Sequence, residues 1–241
     1  VGEALLISYD GNAERQAIYT NGYAYPHINQ EILRQSLPFM GALSIFSYGF
    51  TTDGALIPPH LDDTFLIDLA QSYGTRPVLT LTPIDASGTF NNNLITALVH
   101  NPEAIARLTE ELGVQITSRG FEGVDIDFEY ILPTDRIAFA EFVATVRRSI
   151  NALGFPVSVA LAPKTSDDQK GVLYEGKDYA LLGEAADSVL LMTYEWGYTY
   201  GPPMAVAPIN QVRRVVEYAV TEIPSGKIDL GIPNYGYDWL L

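Results

Sequence analysis

Short apolar runs rich in β-branched residues alternate along the chain with longer segments of helical periodicity. Several runs are hydrophobic at nearly every position, which is typical of parallel strands that are covered on both faces. Strands that alternate with helices favour an α/β fold built from repeated β-α units. The seven predicted strands are residues 4–9, 42–48, 77–82, 123–128, 156–162, 188–194 and 228–234.

The segments between these runs carry recognisable helix ends. Asn101 and Pro102 suit the N-cap and first turn of a helix, and Gly120 suits the position after its last turn. Asp62 or Asp63 is expected to cap the next helix upstream. Further helices are predicted over residues 133–153, 179–186 and 209–220.

This order of elements predicts a (β/α)8 TIM-type barrel formed by one domain over residues 1–241. Seven strands are one short of closure, and a gap would leave two unpaired strand edges. We therefore expect the eighth strand to be missing from the sequence shown. The alternative is a doubly wound open sheet, although the Gly-rich phosphate turn that often accompanies such sheets is absent after the first predicted strand.

Composition narrows the possible partners. Acidic residues outnumber basic residues 29 to 14, for a net charge of -15, and the basic residues form no stripe that could follow phosphates. We expect no nucleic-acid partner. The chain has no cysteine, which excludes disulfides, thiolate metal sites and a cysteine nucleophile. No apolar stretch reaches the length of a membrane helix, so insertion into membranes is not expected. We also expect the protein to be a monomer.

The segment over residues 121–130 alternates acidic and apolar side chains. Alternate residues of a strand share a face, so Asp125, Asp127 and Glu129 point to one side and the apolar residues between them point to the other. If the apolar side faces the helices, the acids line the barrel interior and rise toward its C-terminal mouth. Barrel enzymes place their catalytic groups at that mouth.

Three carboxylates on one buried face raise one another's pKa, so at least one is expected to hold a proton near neutrality and to be available for general acid catalysis. The alternatives are a solvated strand face or a metal site. His27, His60 and His100 lie far apart without ligand spacing, so neither a metal nor a cofactor is predicted.

The same segment resembles the signature of glycoside hydrolase family 18, D-G-x-D-x-D-x-E on the fourth barrel strand. The match covers residues 122–129, with Glu122 where that family usually has Asp. Residues 191–196 are similar to the family's sixth-strand motif M-x-Y-D, with Glu195 in place of Asp. Residues 192–203 and 231–239 resemble the bacterial branch that contains spore cortex-lytic glucosaminidases, which often occur beside LysM modules.

The resemblance implies retaining, substrate-assisted hydrolysis, in which the sugar's 2-acetamido oxygen attacks the anomeric carbon. It makes Glu129 the acid and then the base. It makes Asp127 the acceptor of the acetamido N–H, with Asp125 sharing a proton from deeper in the barrel. Tyr194 would donate its hydroxyl to the acetamido carbonyl, and Glu195 would bind a hydroxyl of the same sugar.

Further substrate-binding residues are predicted from their position at strand ends, where aromatic rings can stack on the apolar faces of sugars. Met192 shares a face with Tyr194 and becomes a candidate through the sixth-strand motif. The predicted substrate-binding residues are Met192, Glu195, Trp196, Tyr48, Tyr235 and Trp239, with Tyr130, Tyr198 and Tyr200 as further aromatic candidates.

The resemblance implies an N-acetylated polysaccharide as partner, namely peptidoglycan of the spore cortex, and a location outside the cytoplasm at the cell wall or spore. No signal peptide stands in the sequence shown. Chitin is an alternative substrate, although the third predicted strand lacks the S-x-G-G pattern of secreted chitinases. Glycoprotein glycans are another alternative. A binding barrel without activity is the rival from a different functional class, although Asp127 and Glu129 are both present.

Overall fold

The computed structural model describes residues 18–239, and their strands form one sheet. The strands are β1 (Asn21–Ala24), β2 (Ala42–Phe50), β3 (Leu56–Ile57), β4 (Arg76–Leu81), β5 (Val124–Ile126), β6 (Val157–Leu161), β7 (Ser188–Leu191) and β8 (Ile228–Leu230). Seven of them are parallel in the order β1-β2-β4-β5-β6-β7-β8, and β3 pairs antiparallel with the end of β2.

Helices follow most of the strands. They are α1 (Gln30–Ser36), α2 (Thr64–Ser72), α3 (Asn93–Val99), α4 (Pro102–Arg119), α5 (Arg136–Ala152), α6 (Tyr179–Ala185) and α7 (Ile209–Glu222). Three single 3-10 turns lie at Leu37–Phe39, Pro133–Asp135 and Ser225–Lys227. In the part of the chain described, no helix has the length and apolar character needed to span a bilayer.

The sheet is strongly curled. Three strand spacings separate β1 from β5, which would be roughly 14 Å in a flat sheet. Yet the Tyr23 hydroxyl of β1 donates a hydrogen bond of 2.8 Å to Asp125 of β5. The sheet must therefore bend around a common interior. This curled parallel sheet with its helices confirms the α/β class and the TIM-type barrel architecture.

The strand faces alternate as predicted at β5. Val124, Ile126 and Phe128 are buried in the core between sheet and helices. The Phe128 ring stacks on Phe139 and Phe142 of α5, with ring centroids 5.7 Å apart in both pairs. The apolar face of β5 thus anchors α5 and leaves the acidic face for the barrel interior.

Helix α4 begins and ends where the sequence predicts. The Asn101 side chain accepts hydrogen bonds from the backbone N–H groups of Glu103 and Ala104, which is N-cap geometry. Gly120 follows the last turn with φ 81°, a left-handed conformation that glycine adopts without steric cost.

One barrel strand was missed. The neighbour of β2 is Asn21–Ala24, a strand of four residues that follows no extended apolar run. The predicted strand over residues 4–9 lies outside the described residues. A short strand is stabilised by pairing with its neighbours more than by its own hydrophobic pattern. Hydrophobic periodicity therefore does not detect this strand of four residues.

Candidate active site

The deepest acid of the predicted row is Asp125, which is fully buried within β5. Its carboxylate accepts hydrogen bonds from the Tyr23 hydroxyl at 2.8 Å and from Ser158 Oγ of β6 at 2.6 Å. Burial raises the pKa of Asp125, and the two hydrogen bonds offset part of that rise. Asp125 is therefore a fixed, fully satisfied acid at the base of the row.

Asp127 lies next along the same face, and its carboxylate has fewer hydrogen bonds than that of Asp125. Its Oδ1 atom is buried and has no hydrogen-bond partner among residues 18–239. Burial, reinforced by the charges of Asp125 and Glu129, raises the pKa of Asp127 to about 7, while Lys177 acts in the opposite direction. Asp127 is therefore the acid of the row whose raised pKa fits the expected proton exchange near neutrality, and its Oδ1 atom can accept a hydrogen bond from a donor.

Glu129 ends the row and is exposed at the rim, in a loop that continues β5. Tyr194 faces the same space from the end of β7. Burial and then the charges of Asp127, Glu129 and Asp125 raise the pKa of the Tyr194 hydroxyl. The structure thus brings together the three acids and the tyrosine that the sequence nominates as catalytic.

The β7 end continues into Glu195, which has a positive φ of 66°. For a residue other than glycine this conformation is strained, and such strain concentrates at functional sites. The Glu195 carboxylate accepts hydrogen bonds from the hydroxyls of Tyr235 and Tyr237. Both tyrosines follow β8, so Glu195 links the loops at the ends of β7 and β8.

The remaining predicted binding residues are distributed around this link. Met192 and Trp196 are half-buried, and Trp196 packs against the core. Tyr235 is exposed. The Trp239 ring lies 6.0 Å from that of Tyr237, so it extends the same aromatic group.

Tyr48 is a wrong prediction. Its side chain is fully buried on the helical side of β2, where the hydroxyl donates to Asp63 at 2.9 Å and accepts from Arg119 at 2.8 Å. The pairing of β2 with β4 shifts register between Ile45 and Tyr48, so simple alternation fails there. Tyr48 therefore belongs to the packing of helices α2 and α4 against the sheet and does not line the interior.

Sequence reasoning missed Tyr23 and the aromatic row beside it. Tyr25 lies close enough to Asp127 for that charge to raise its pKa, although burial is the larger cause. The Tyr25 ring contacts that of Phe46 at 5.0 Å, and Phe46 lies 6.4 Å from Phe90. The alternation of Tyr23 and Tyr25 before Pro26 was the available signal.

Lys177 was also missed. This lysine of the loop between β6 and α6 is fully buried, and its ammonium group donates to the Ala160 carbonyl at 3.2 Å. Burial lowers the pKa of Lys177 to about 8, against the opposite effect of the Asp127 and Glu129 carboxylates. No periodicity marks this loop, so nothing in the sequence separates this lysine from a solvated one.

The interior of the barrel is therefore a polar chamber that contains three acids from β5 and the loop that continues it, the tyrosines that face them and the buried ammonium group of Lys177. Across residues 18–239, no group of three or more His, Cys, Asp or Glu side chains is arranged to hold a metal ion. A parallel barrel with a protonatable carboxylate pair at its C-terminal mouth is the arrangement of a glycoside-hydrolase barrel.

Comparison with known proteins agrees with this class. Residues 87–241 match the sequence profile of Glycosyl hydrolases family 18. The chain belongs to that family.

The relatives in this family are longer proteins. The chain is 39% identical to the cortical fragment-lytic enzyme of Bacillus subtilis over 235 residues, covering 95% of this chain and 54% of the relative. It is 32% identical to the putative sporulation-specific glycosylase YdhD of the same organism, covering 90% and 50%. The chain thus spans about half the length of these curated relatives.

Solved structures agree in fold. The spore cortex-lytic enzyme SleL of Bacillus cereus superposes with a TM-score of 0.84 at 30% identity, covering 90% of this chain and 51% of that one. A chitinase from Chromobacterium violaceum gives a TM-score of 0.83 at 24% identity, covering 91% and 70%. The second likeness concerns the fold alone.

Proposed function

We propose that this protein is a retaining glycoside hydrolase that cleaves β-1,4 bonds beside N-acetylglucosamine in the peptidoglycan of the spore cortex. The observation that carries the proposal is the buried Oδ1 of Asp127, which has no hydrogen-bond partner among residues 18–239 and belongs to a carboxyl group close to Glu129 and Tyr194. Membership of family 18 and the names of the two Bacillus relatives support it. The proposal includes one catalytic domain over residues 1–241 that acts as a monomer at the wall or spore.

The first chemical step is cleavage of the glycosidic bond. Glu129 stands at the exposed rim, where a leaving oxygen can reach it, and donates its proton to that oxygen. The carbonyl oxygen of the sugar's own 2-acetamido group attacks the anomeric carbon as the bond breaks, and a cyclic oxazolinium ion forms. No nucleophile from the protein is required.

The acetamido group must be held in place for that attack. Asp127 Oδ1 accepts the acetamido N–H, which supplies the missing partner of this buried atom and places negative charge beside the cation. The Tyr194 hydroxyl donates to the acetamido oxygen and holds it near the anomeric carbon. Asp125, fixed by Tyr23 and Ser158, shares the proton that Asp127 gives up.

The second step is hydrolysis of the oxazolinium ion. Glu129, now a carboxylate, removes a proton from a water molecule that attacks the anomeric carbon from the face left by the departed sugar. The acetamido group is released, and the two inversions give net retention. Retention is checked directly by NMR of the first product anomer.

Replacing Glu129 with Gln tests the proposal. The amide is nearly isosteric and cannot donate a carboxylic proton, so turnover of a chromogenic N-acetylglucosamine oligomer should fall on the order of 10²- to 10⁴-fold. The matched control is Glu110→Gln on the exposed face of α4, which should keep the rate of the parent. Equal rates for Glu129→Gln and the parent would remove Glu129 from the mechanism.

Substrate choice needs a second experiment. Purified spore cortex, chitin and a glycoprotein with N-linked glycans are digested side by side, and the products are identified by mass. Release of muropeptide fragments from cortex is expected. Release from chitin alone would make the protein a chitinase, release from the glycoprotein alone would make it an endo-glucosaminidase, and binding without release from any of them would leave a sugar-binding barrel.

A further inference from the structure

Lys177 is a charged residue in an unusual place. Its side chain has no exposure to solvent, although a buried ammonium group loses its hydration and costs free energy unless carboxylates or hydrogen bonds replace it. Its one side-chain hydrogen bond among the described residues is to the Ala160 carbonyl. A single carbonyl is a poor replacement for water, so another source of stabilisation has to act on this charge.

Strand pairing shows where the ammonium group lies. Asp125 pairs with Ser158 and Ile126 pairs with Val159 in the parallel register of β5 and β6. Continuing that register by one residue brings Ala160 level with Asp127 on the adjacent strand. Neighbouring strands are about 4.8 Å apart. The ammonium group that binds the Ala160 carbonyl is therefore at the level of Asp127, one strand away.

The surrounding loop fixes the backbone of Lys177. Its carbonyl accepts a hydrogen bond of 2.8 Å from the ammonium group of Lys164, and its N–H donates to the Tyr174 carbonyl at 3.1 Å. Gly176 packs so closely on the loop after β5 that an added Cβ would lie 2.0 Å from the Ile131 carbonyl oxygen. Three separate contacts thus hold this lysine in the loop next to the acids.

The charges that act on Lys177 are the carboxylates of Asp127 and Glu129, from the loop that continues β5. Asp127 in turn is next to Asp125 of β5, and its charge acts on the hydroxyls of Tyr194, at the end of β7, and of Tyr23, in β1. Lys164 lies behind the loop, and its ammonium group donates hydrogen bonds to the backbone carbonyls of Lys177 and Asp167. Lys177 is the cation that opposes the mutual repulsion of the acids at Asp127.

We propose that Lys177 is a positioning residue of this site, whose fixed, buried charge, one strand away from Asp127, keeps the Asp127 carboxyl ionised when that carboxyl must accept the acetamido N–H. The inference rests on the proposed function, because it assigns a role in the chemistry of the same acids. With the lysine charge present, Asp127 ionises in the pH range in which it must accept the acetamido N–H. Without it, Asp127 retains its proton to higher pH.

Removing the charge tests this role in the enzyme. Lys177→Met keeps the chain length and loses the charge, so the acidic limb of the pH profile of kcat/KM, which reports the ionisation of Asp127, should move to higher pH by about one unit. Lys177→Arg keeps a positive charge and should restore the profile toward that of the parent. The matched control is Lys170→Met, which removes an exposed lysine of the same loop and should leave both limbs in place.

A purely structural role predicts a different result. In that case Lys177→Met lowers the thermal midpoint and the amount of active enzyme, and the two limbs remain at their original pH. An unchanged pH profile in a Lys177→Met variant that is shown to be folded overturns the proposal. Equal shifts of the pH profile of kcat/KM in Lys177→Arg and Lys177→Met overturn the proposal as well, because the positive charge would then not be the cause of the shift.

A titration of the unaltered protein covers the case in which Lys177→Met does not fold. The chain contains four lysines, so their ¹³Cε signals can be assigned with one Lys→Arg variant each. The Lys177 signal should titrate near pH 8, and its midpoint should fall by about half a unit or more in Asp127→Asn. A Lys177 midpoint that Asp127→Asn leaves unchanged overturns the proposal. This measurement needs no substrate, so it separates failure of the lysine role from failure of the hydrolase proposal.

Discussion

Asp127 and Asp135 lie eight positions apart; Asp135 is buried, and Asp127 has one buried carboxylate oxygen. Asp135, at the turn before α5, accepts hydrogen bonds from Thr96, His100 and Thr134. Burial alone would raise its pKa, but these hydrogen bonds outweigh burial and lower it. Asp127 has one carboxylate oxygen without a hydrogen-bond partner in the described part of the chain, and burial with its acidic neighbours raises its pKa to about 7.

The difference separates structural from chemical use of the same residue type. Donors gathered around Asp135 favour the ionised form, so this carboxylate ties α3 to the turn before α5 and stabilises the fold. Asp127 lacks such donors and is kept close to the pH at which its proton is exchanged. A buried acid that the fold leaves unsatisfied is therefore the better candidate for catalysis, and exchanging each acid for its amide should show opposite behaviour.

Among the variants that compare Asp127 with Asp135, the largest effect is expected for the activity of Asp127→Asn. The amide cannot carry the negative charge that faces the oxazolinium ion, so kcat should fall about 10²- to 10³-fold. Asp135→Asn should keep kcat within about threefold, because Asp135 contacts helix residues and not the chamber. Steady-state kinetics on a defined oligosaccharide decide this. Comparable losses of kcat in both variants would contradict the distinction drawn between the two acids.

A smaller loss is expected for Tyr194→Phe. The ring remains and only the hydroxyl that would hold the acetamido oxygen is lost, so kcat should fall about 10- to 100-fold. Affinity should show the same contact: binding of an N-acetylated oligomer should weaken in Tyr194→Phe, while binding of a deacetylated oligomer, which this mechanism cannot cleave, should not change. Steady-state kinetics on the N-acetylated oligomer and calorimetric titration with both oligomers test this. Equal losses of affinity for both would show that Tyr194 does not contact the acetamido group.

The acid row was accessible to sequence reasoning because its geometry is local. In a strand the period of two alone places Asp125, Asp127 and Glu129 on one side, and Phe128 on the other. Lys177 was not accessible, because its approach depends on a loop without periodicity and on the register between β5 and β6. The prediction for Tyr48 was wrong because it assumed that the strand ends at this residue; β2 continues to Phe50, and its irregular pairing with β4 turns Tyr48 toward the helices.

Stability should respond to pH in opposite senses in the two amide variants. The pKa of Asp127 is raised on folding, so its contribution to stability is present below about pH 4 and is lost as pH rises through 7. Asp127→Asn should therefore gain stability relative to the parent between pH 4 and 8, by about 1–3 kcal/mol at the upper end.

For Asp135 the sign is reversed. Its pKa is lowered on folding, so its contribution is present above about pH 4 and is lost as pH falls through the folded pKa. Asp135→Asn should be less stable than the parent at pH 7, by about 1–3 kcal/mol, and the deficit should shrink at acidic pH. Urea unfolding at several pH values measures both slopes. If the free energy of unfolding depends on pH in the same way in both variants, the number of hydrogen bonds to the carboxylate does not distinguish these two acids.

The smallest effect is expected for Tyr48→Phe, which removes one hydroxyl just as Tyr194→Phe does. The Tyr48 hydroxyl donates to Asp63 and accepts from Arg119 and Gln115, so its loss should lower the free energy of unfolding by about 1–2 kcal/mol. The ion pair of Arg119 with Asp63 at 2.6 Å persists and limits the cost. Because the ring is buried beneath α2 and α4, KM and kcat should not change. A raised KM in Tyr48→Phe with unaltered stability would indicate instead that Tyr48 contacts the substrate.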